Sequence, residues 1–213
     1  MRRHRYVAVP ALILVLGGAA LGLQSCAAII GVGGIAAVST LEDRRTTATQ
    51  LEDSGIESRA ASGISERFGE RAHVNVAAFN RALLLTGEAW DEAARAEIGK
   101  IAAAVPNVRA VTNEIQVAGV SSTTSRANDT ALTARVKGRF LNAKEFSSLH
   151  VKVVTEAGVV YLLGLVTENE AAAATEIART TSGVRKVVRV FDYCTSADEL
   201  CRPGPAGKPK PAG

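Results

Sequence analysis

Asp53-Ser-Gly-Ile56-Glu-Ser-Arg59 and Asp129-Thr-Ala-Leu132-Thr-Ala-Arg135 carry one pattern twice, 76 residues apart. Working outward, His73-Val-Asn-Val76 matches His150-Val-Lys-Val153 at an offset of 77, and Gly87 matches Gly164 at the same offset. Further on, Ile101 pairs with Ile177, Val108-Arg109 with Val184-Arg185 and Val111 with Val187, again at 76. One compensated insertion accounts for the drift. An internal repeat of this length defines the folding unit before any single motif does. The chain therefore divides into two copies of one small domain, 52–118 and 129–193, joined by a Ser/Thr-rich linker at 119–128.

Each copy opens with a helical period. Leu132, Val136 and Phe140 recur every four residues behind Asp129, which suits an N-cap; Ile56, Ala60, Ile64 and Phe68 do the same in the first copy. Two strand patterns follow. They enclose turns at Asn80-Arg81 and at Glu156-Ala-Gly158, the latter with the Gly that a tight hairpin favours. A second, Ala-rich helix then begins, announced in the second copy by the capping box Thr167-Glu-Asn-Glu170. A closing strand spans Val108 to Val117 or Arg185 to Tyr193, with Val187, Arg189 and Phe191 on one face and Val188, Val190 and Asp192 on the other. The order helix, strand, strand, helix, strand predicts an α+β fold: two tandem domains, each a small three-stranded mixed sheet packed on two helices.

The ends of the chain read differently. Arg2, Arg3 and Arg5 precede an apolar run from Val7 to Leu16, too short to span a bilayer core that needs about 20 residues. The run leads into Leu23-Gln24-Ser25-Cys26. This resembles a lipobox, which implies that residues 1–25 are a lipoprotein signal peptide and that Cys26 receives a diacylglyceryl group as the mature N-terminus. Two or three acyl chains anchor stably without crossing the membrane. Ala27 follows in place of the Asp that retains enterobacterial lipoproteins at the inner membrane, so the resemblance implies the outer membrane, facing the periplasm. Residues 26–51 read as the lipidated N-terminus and a tether. Residues 194–213, rich in Pro, Gly, Ala and Lys beyond Arg202, read as a disordered tail.

Composition narrows the function classes. The formal charge of +4 falls to about +1 once the three leader arginines are removed, and aromatics are 4% of the chain, so neither a polyanion groove nor base-stacking platforms are indicated and nucleic acid is not expected as a partner. No G-x-S-x-G elbow and no P-loop lysine occur, so no catalytic residue and no cofactor are assigned. His73 and His150 hold equivalent repeat positions at strand starts. They read as scaffold, and no metal site is assigned from their spacing. Cys194 and Cys201, seven apart, can close a small loop in an oxidising periplasm. Two free thiols and pairing between chains are the other states.

Taken together, Asp-x-x-Ile/Leu-x-x-Arg, Val-x-Val, the strand ending in Gly87 or Gly164, the Ala-rich helix and Val-Arg-x-Val resemble the BON-domain family. Two such units behind a lipobox resemble its dual-domain outer-membrane lipoproteins. The resemblance implies phospholipid binding, support of envelope integrity and no enzymatic activity. Charge adds a direction: residues 52–118 carry 7 basic against 10 acidic residues, whereas 129–193 carry 9 against 7. The second domain is thus expected to meet an anionic phospholipid membrane, through Ala131, Arg135, Gly138 and Arg139 on its first helix, with each basic residue contributing about 1 kcal/mol at an anionic surface. The alternative is a periplasmic adaptor whose acidic first domain binds an envelope protein partner.

Overall fold

The computed structural model describes residues 43–195 and 197–201. The first copy comprises α1 (Thr47–Phe68), β1 (His73–Phe79), β2 (Ala82–Ala89), α2 (Glu92–Ala103) and a closing strand in two pieces, β3 (Ala110–Asn113) and β4 (Gln116–Val117). The second comprises α3 (Thr123–Phe140), β5 (Val151–Glu156), β6 (Val159–Val166), α4 (Glu168–Arg179) and β7 (Lys186–Tyr193). In each sheet the hairpin is antiparallel and the closing strand runs parallel to the central one, giving the orders β1-β2-β3 and β5-β6-β7. The α+β architecture and the mixed sheets follow the repeat pattern. The break between β3 and β4 admits Ile115, which is 1% exposed, into the core.

Helix starts are set by side chains that accept from otherwise unpaired first-turn amides. Thr46 accepts from Thr49 N at 3.1 Å, Asp91 from Ala94 N at 2.7 Å and Ser122 from Ser125 N. Thr167 and Glu170 form the expected capping box. Asp129 is not a cap. α3 begins at Thr123, inside the stretch read as linker, so Asp129 falls within the helix and is buried. Its two oxygens accept from Ala157 N at 2.9 Å and Gly158 N at 2.8 Å, the amides of the β5-β6 turn. Asp53 does the same for Asn80 N and Arg81 N at 2.8 and 2.7 Å. All four turn residues have positive φ, as a two-residue hairpin of the favoured twist requires. The repeated Asp thus pins helix to hairpin, satisfying amides that would be costly to leave unpaired.

Along the central strands, side chains alternate between two apolar environments. Leu83 and Leu85, and likewise Val160 and Leu162, face the helices of their own domain. Leu84, Tyr161 and Leu163 face the other way and join Phe79 in a third cluster shared by the two sheets, with Val188 and Val190 packed against it. The result is helices, sheet, sheet, helices, with the domains docked back to back. Burial in this seam pushes the Tyr161 hydroxyl up to about 12.

Polar groups frame the seam. Arg44 pairs with Glu170 at 2.7 and 2.9 Å and donates to Leu165 O at 2.8 Å, so residues read as tether strap the first domain to the second. Burial alone would raise the Glu170 carboxyl, but the Arg44 guanidinium and the Thr167 amide hold it below its usual range. Asp192 takes Arg109 and Asn80, and Lys152 pairs with Glu57 while donating to Ala78 O at 3.2 Å.

Candidate functional site

α3 buries Leu132, Val136 and Phe140 and turns Ala131, Arg135, Gly138 and Arg139 to solvent, so the four residues picked from sequence share an exposed helix surface. Around Gly138 the space where a Cβ would stand is open. The two guanidinium groups are not free arms. Arg135 donates to Ser182 O at 2.8 Å, and Arg139 donates to Ile177 O at 2.7 Å and to the Thr181 hydroxyl at 2.8 Å. Arg139 therefore caps a carbonyl in the last turn of α4, where a cation is favoured, and Arg135 holds the turn that follows it. They present a fixed positive edge beside that helix end.

Sequence reasoning missed the neighbouring surface. Leu141, directly after α3, is 75% exposed, and Leu149, in the short turn before β5, is also exposed. Together with Lys137, Phe140 and Lys152 of the second domain and Glu57 and Phe79 of the first, they line a cleft of about 590 Å3 between the domains. Inside it Arg45 bridges Asp43 and Asp53 at 2.8 and 2.9 Å and stacks over the Phe79 ring at 3.9 Å. Lys152 is matched by Glu57, which leaves Lys137 as the lining cation without an ion pair among the described residues. Leu141 stands one place off the stripe of Leu132, Val136 and Phe140, and that departure was the available signal.

On the opposite side of the seam His73, Glu88 and Glu156 bring three ligand-type atoms within 4.8 Å of one another. The repeat mate of His73, His150, lies 3.5 Å from Glu170. Cys26 lies outside the described residues. Cys194 and Cys201, placed in the tail by sequence, are bonded to each other with Cα atoms 6.1 Å apart, and Cys201 is buried. Residues 194, 195 and 197–201 thus form a closed turn behind β7. Alkylation of the unreduced, denatured protein followed by peptide mapping is expected to leave both cysteines unlabelled; labelling of both would remove the bridge. Among the described residues no helix is long and apolar enough to cross a membrane.

Comparison with known proteins agrees with this architecture. The BON domain model matches residues 52–119 and 128–195. The chain is 33% identical over 183 residues to the outer membrane lipoprotein DolP of Haemophilus influenzae, spanning 85% of this chain and 95% of that protein. It is 34% identical to the 21 kDa hemolysin of Actinobacillus pleuropneumoniae, over 71% of this chain and 79% of that one. The osmotically-inducible protein Y of Escherichia coli is 29% identical over 64% and 70% of the two chains. With two matched domains, each built as helix, hairpin, helix and parallel closing strand, this chain belongs to the BON-domain family.

Proposed function

We propose that this protein is a non-catalytic, lipid-anchored lipoprotein of the outer membrane, facing the periplasm, whose second BON domain contacts anionic phospholipid and supports envelope integrity. The observation that carries the reading is the exposed surface of α3: Arg139 hydrogen-bonded to the end of α4 and Arg135 to the turn that follows, with Lys137 and the solvent-exposed Leu141 beside them. Fixed guanidinium groups offer hydrogen bonds to phosphate without first losing rotamer freedom, and an adjacent bare Leu offers an apolar insertion point at the headgroup level. The lipobox ending in Cys26 supports the anchor, and likeness to an outer membrane lipoprotein over 95% of that relative's length supports the location.

The test is cosedimentation with liposomes of graded anionic content at two salt concentrations, using Ser39–Gly213, which holds both BON domains in one compact unit. Binding is expected to rise with anionic lipid and weaken with salt. Arg135→Gln together with Arg139→Gln removes two charges worth about 1 kcal/mol each, so affinity is expected to fall roughly thirtyfold. Circular dichroism controls for the lost α4 contacts. Unchanged cosedimentation by the double variant would sink the patch. No binding at any composition would leave the acyl chains as the membrane contact and favour the adaptor reading, in which the first domain binds an envelope protein.

A further inference from the structure

Two openings between the domains are repeat mates. The cleft lined by Asp53, Ser54, Glu57, Ala78, Phe79 and Lys152 has its counterpart in a smaller cavity of about 180 Å3, lined by Asp129, Thr130, Thr133, Thr155, Glu156 and Asn75. In the first, Lys152 supplies a built-in cation, satisfied by Glu57 and Ala78 O. In the second the mate of Lys152 is Asn75, which is neutral, and the mate of Phe79 is Glu156, which is acidic. The Glu156 carboxylate is therefore not inherited from the repeat, unlike that of Asp129, whose mate is Asp53. Glu88, whose mate is Leu165, adds another such carboxylate next to His73 and Glu156.

Both carboxylates are more than nine-tenths buried, Glu88 at 6% and Glu156 at 5% exposure, and neither pairs with Lys or Arg among the described residues. Glu88 Oε2 lies 3.2 Å from His73 Nδ1 and accepts from Ser121 N at 3.2 Å. Glu156 Oε2 accepts from Asn75 Nδ2 at 2.7 Å and from the Thr86 hydroxyl at 3.4 Å. Arg126 lines the cavity without an ion pair to either carboxylate, and Asp129 is committed to the turn amides. Two buried carboxylates from different domains, facing one imidazole, are an arrangement that costs free energy until a further positive charge enters. Burial and the nearby Glu88 charge accordingly raise the Glu156 carboxyl above its usual range.

We propose that His73, Glu88 and Glu156 form a Zn2+ site that clasps the two BON domains together. One imidazole nitrogen and two carboxylate oxygens are a zinc donor set, at ligand distances of about 2.0 to 2.2 Å. A tetrahedron of that size has edges of about 3.3 Å. The His73–Glu88 separation of 3.2 Å already spans one such edge, and the remaining ligand atom lies within 4.8 Å. Side-chain rotation of Glu156 closes the set, and water completes the fourth position. His73 Nδ1 ligates through its lone pair, so the ring N–H sits on Nε2 in the loaded site, and because carboxylates ligate ionised and imidazole neutral, binding weakens in acid.

The full-length chain, purified in detergent with no affinity tag and dialysed against EDTA and then metal-free buffer, is titrated with ZnCl2 by calorimetry and by thermal unfolding. One Zn2+ per chain and a raised unfolding midpoint are expected. His73→Asn, Glu88→Gln and Glu156→Gln should each weaken binding roughly tenfold or more, whereas Glu57→Gln, in the counterpart cleft, should leave it unchanged. Glu156→Gln separates ligation from folding. In EDTA its midpoint should equal or exceed that of the parent, because a neutral amide relieves the buried charge, while the Zn2+-induced rise disappears. Absence of binding at submillimolar ZnCl2, or binding that survives all three substitutions, would overturn the site, as would a preference for MgCl2 or CaCl2.

Discussion

Gly87→Ala is expected to destabilise the protein by about 2–5 kcal/mol, lowering the thermal midpoint by roughly 10 °C. Two independent costs meet at this residue. Its φ of +113° lies in the region L side chains avoid, and a Cβ there would collide with the His73 carbonyl oxygen across the β1-β2 ladder. Neither can be relieved by a rotamer change, because both involve backbone. Domains of this size hold about 5–15 kcal/mol in all, so the loss is a large share. The same substitution elsewhere provides the scale. Gly164→Ala meets the His150 carbonyl oxygen without an unfavourable φ and should cost less than Gly87→Ala. Gly138→Ala, in an exposed helix interior with open space around it, should stabilise by about 0.5–1 kcal/mol. Urea unfolding of the three variants checks the order; a Gly87→Ala midpoint equal to the parent's would show that the hairpin does not approach as described.

How far the sequence was legible depended on how near in the chain the deciding groups lay. Hairpins, the capping box and the alternation of Val187 against Val188 are local, and their patterns pointed to the observed elements. Asp129 was read as a cap because caps and turn-pinning carboxylates use the same residue type. What distinguishes them is a pair of amides 28 and 29 residues away. The α3 surface was legible as exposed helix, but the carbonyls that hold its arginines lie 38 and 47 residues further on. His73, Glu88 and Glu156 come from two domains and show no spacing rule, since a pseudo-twofold seam rather than a single element assembles them. The seam itself did leave a trace. Leu83-Leu84-Leu85 and Val159 to Leu165 are apolar at both parities, the pattern of strands covered on both faces. One domain alone covers only one of those faces.

Leu84→Asp is the substitution that addresses this seam, and it is expected to cost at least about 4 kcal/mol: a fully buried Leu is lost and a carboxylate is placed among Phe79, Tyr161 and Leu163. The two domain cores lie on the far faces of the sheets and do not include Leu84. The partly exposed pairs Arg109–Asp192 and Lys152–Glu57 are weak, and the largely buried Arg44–Glu170 strap ties only the segment before α1 to the second domain. The variant should therefore come apart before it unfolds, giving two calorimetric transitions where the parent gives one. A single transition near the parent's midpoint would mean that the sheets do not bury each other. The separated state also sorts the functional readings. Arg135 and Arg139 are held by α4 and the turn after it, in their own domain, so liposome binding through the α3 surface should survive. The cleft loses its wall of Glu57 and Phe79, and a zinc site needing ligands from both domains is abolished. Retained lipid binding with lost Zn2+ binding would assign the first to one domain and the second to the pair; loss of both would place the lipid contact in the cleft, with Leu141 and Lys137 as its residues on the second domain.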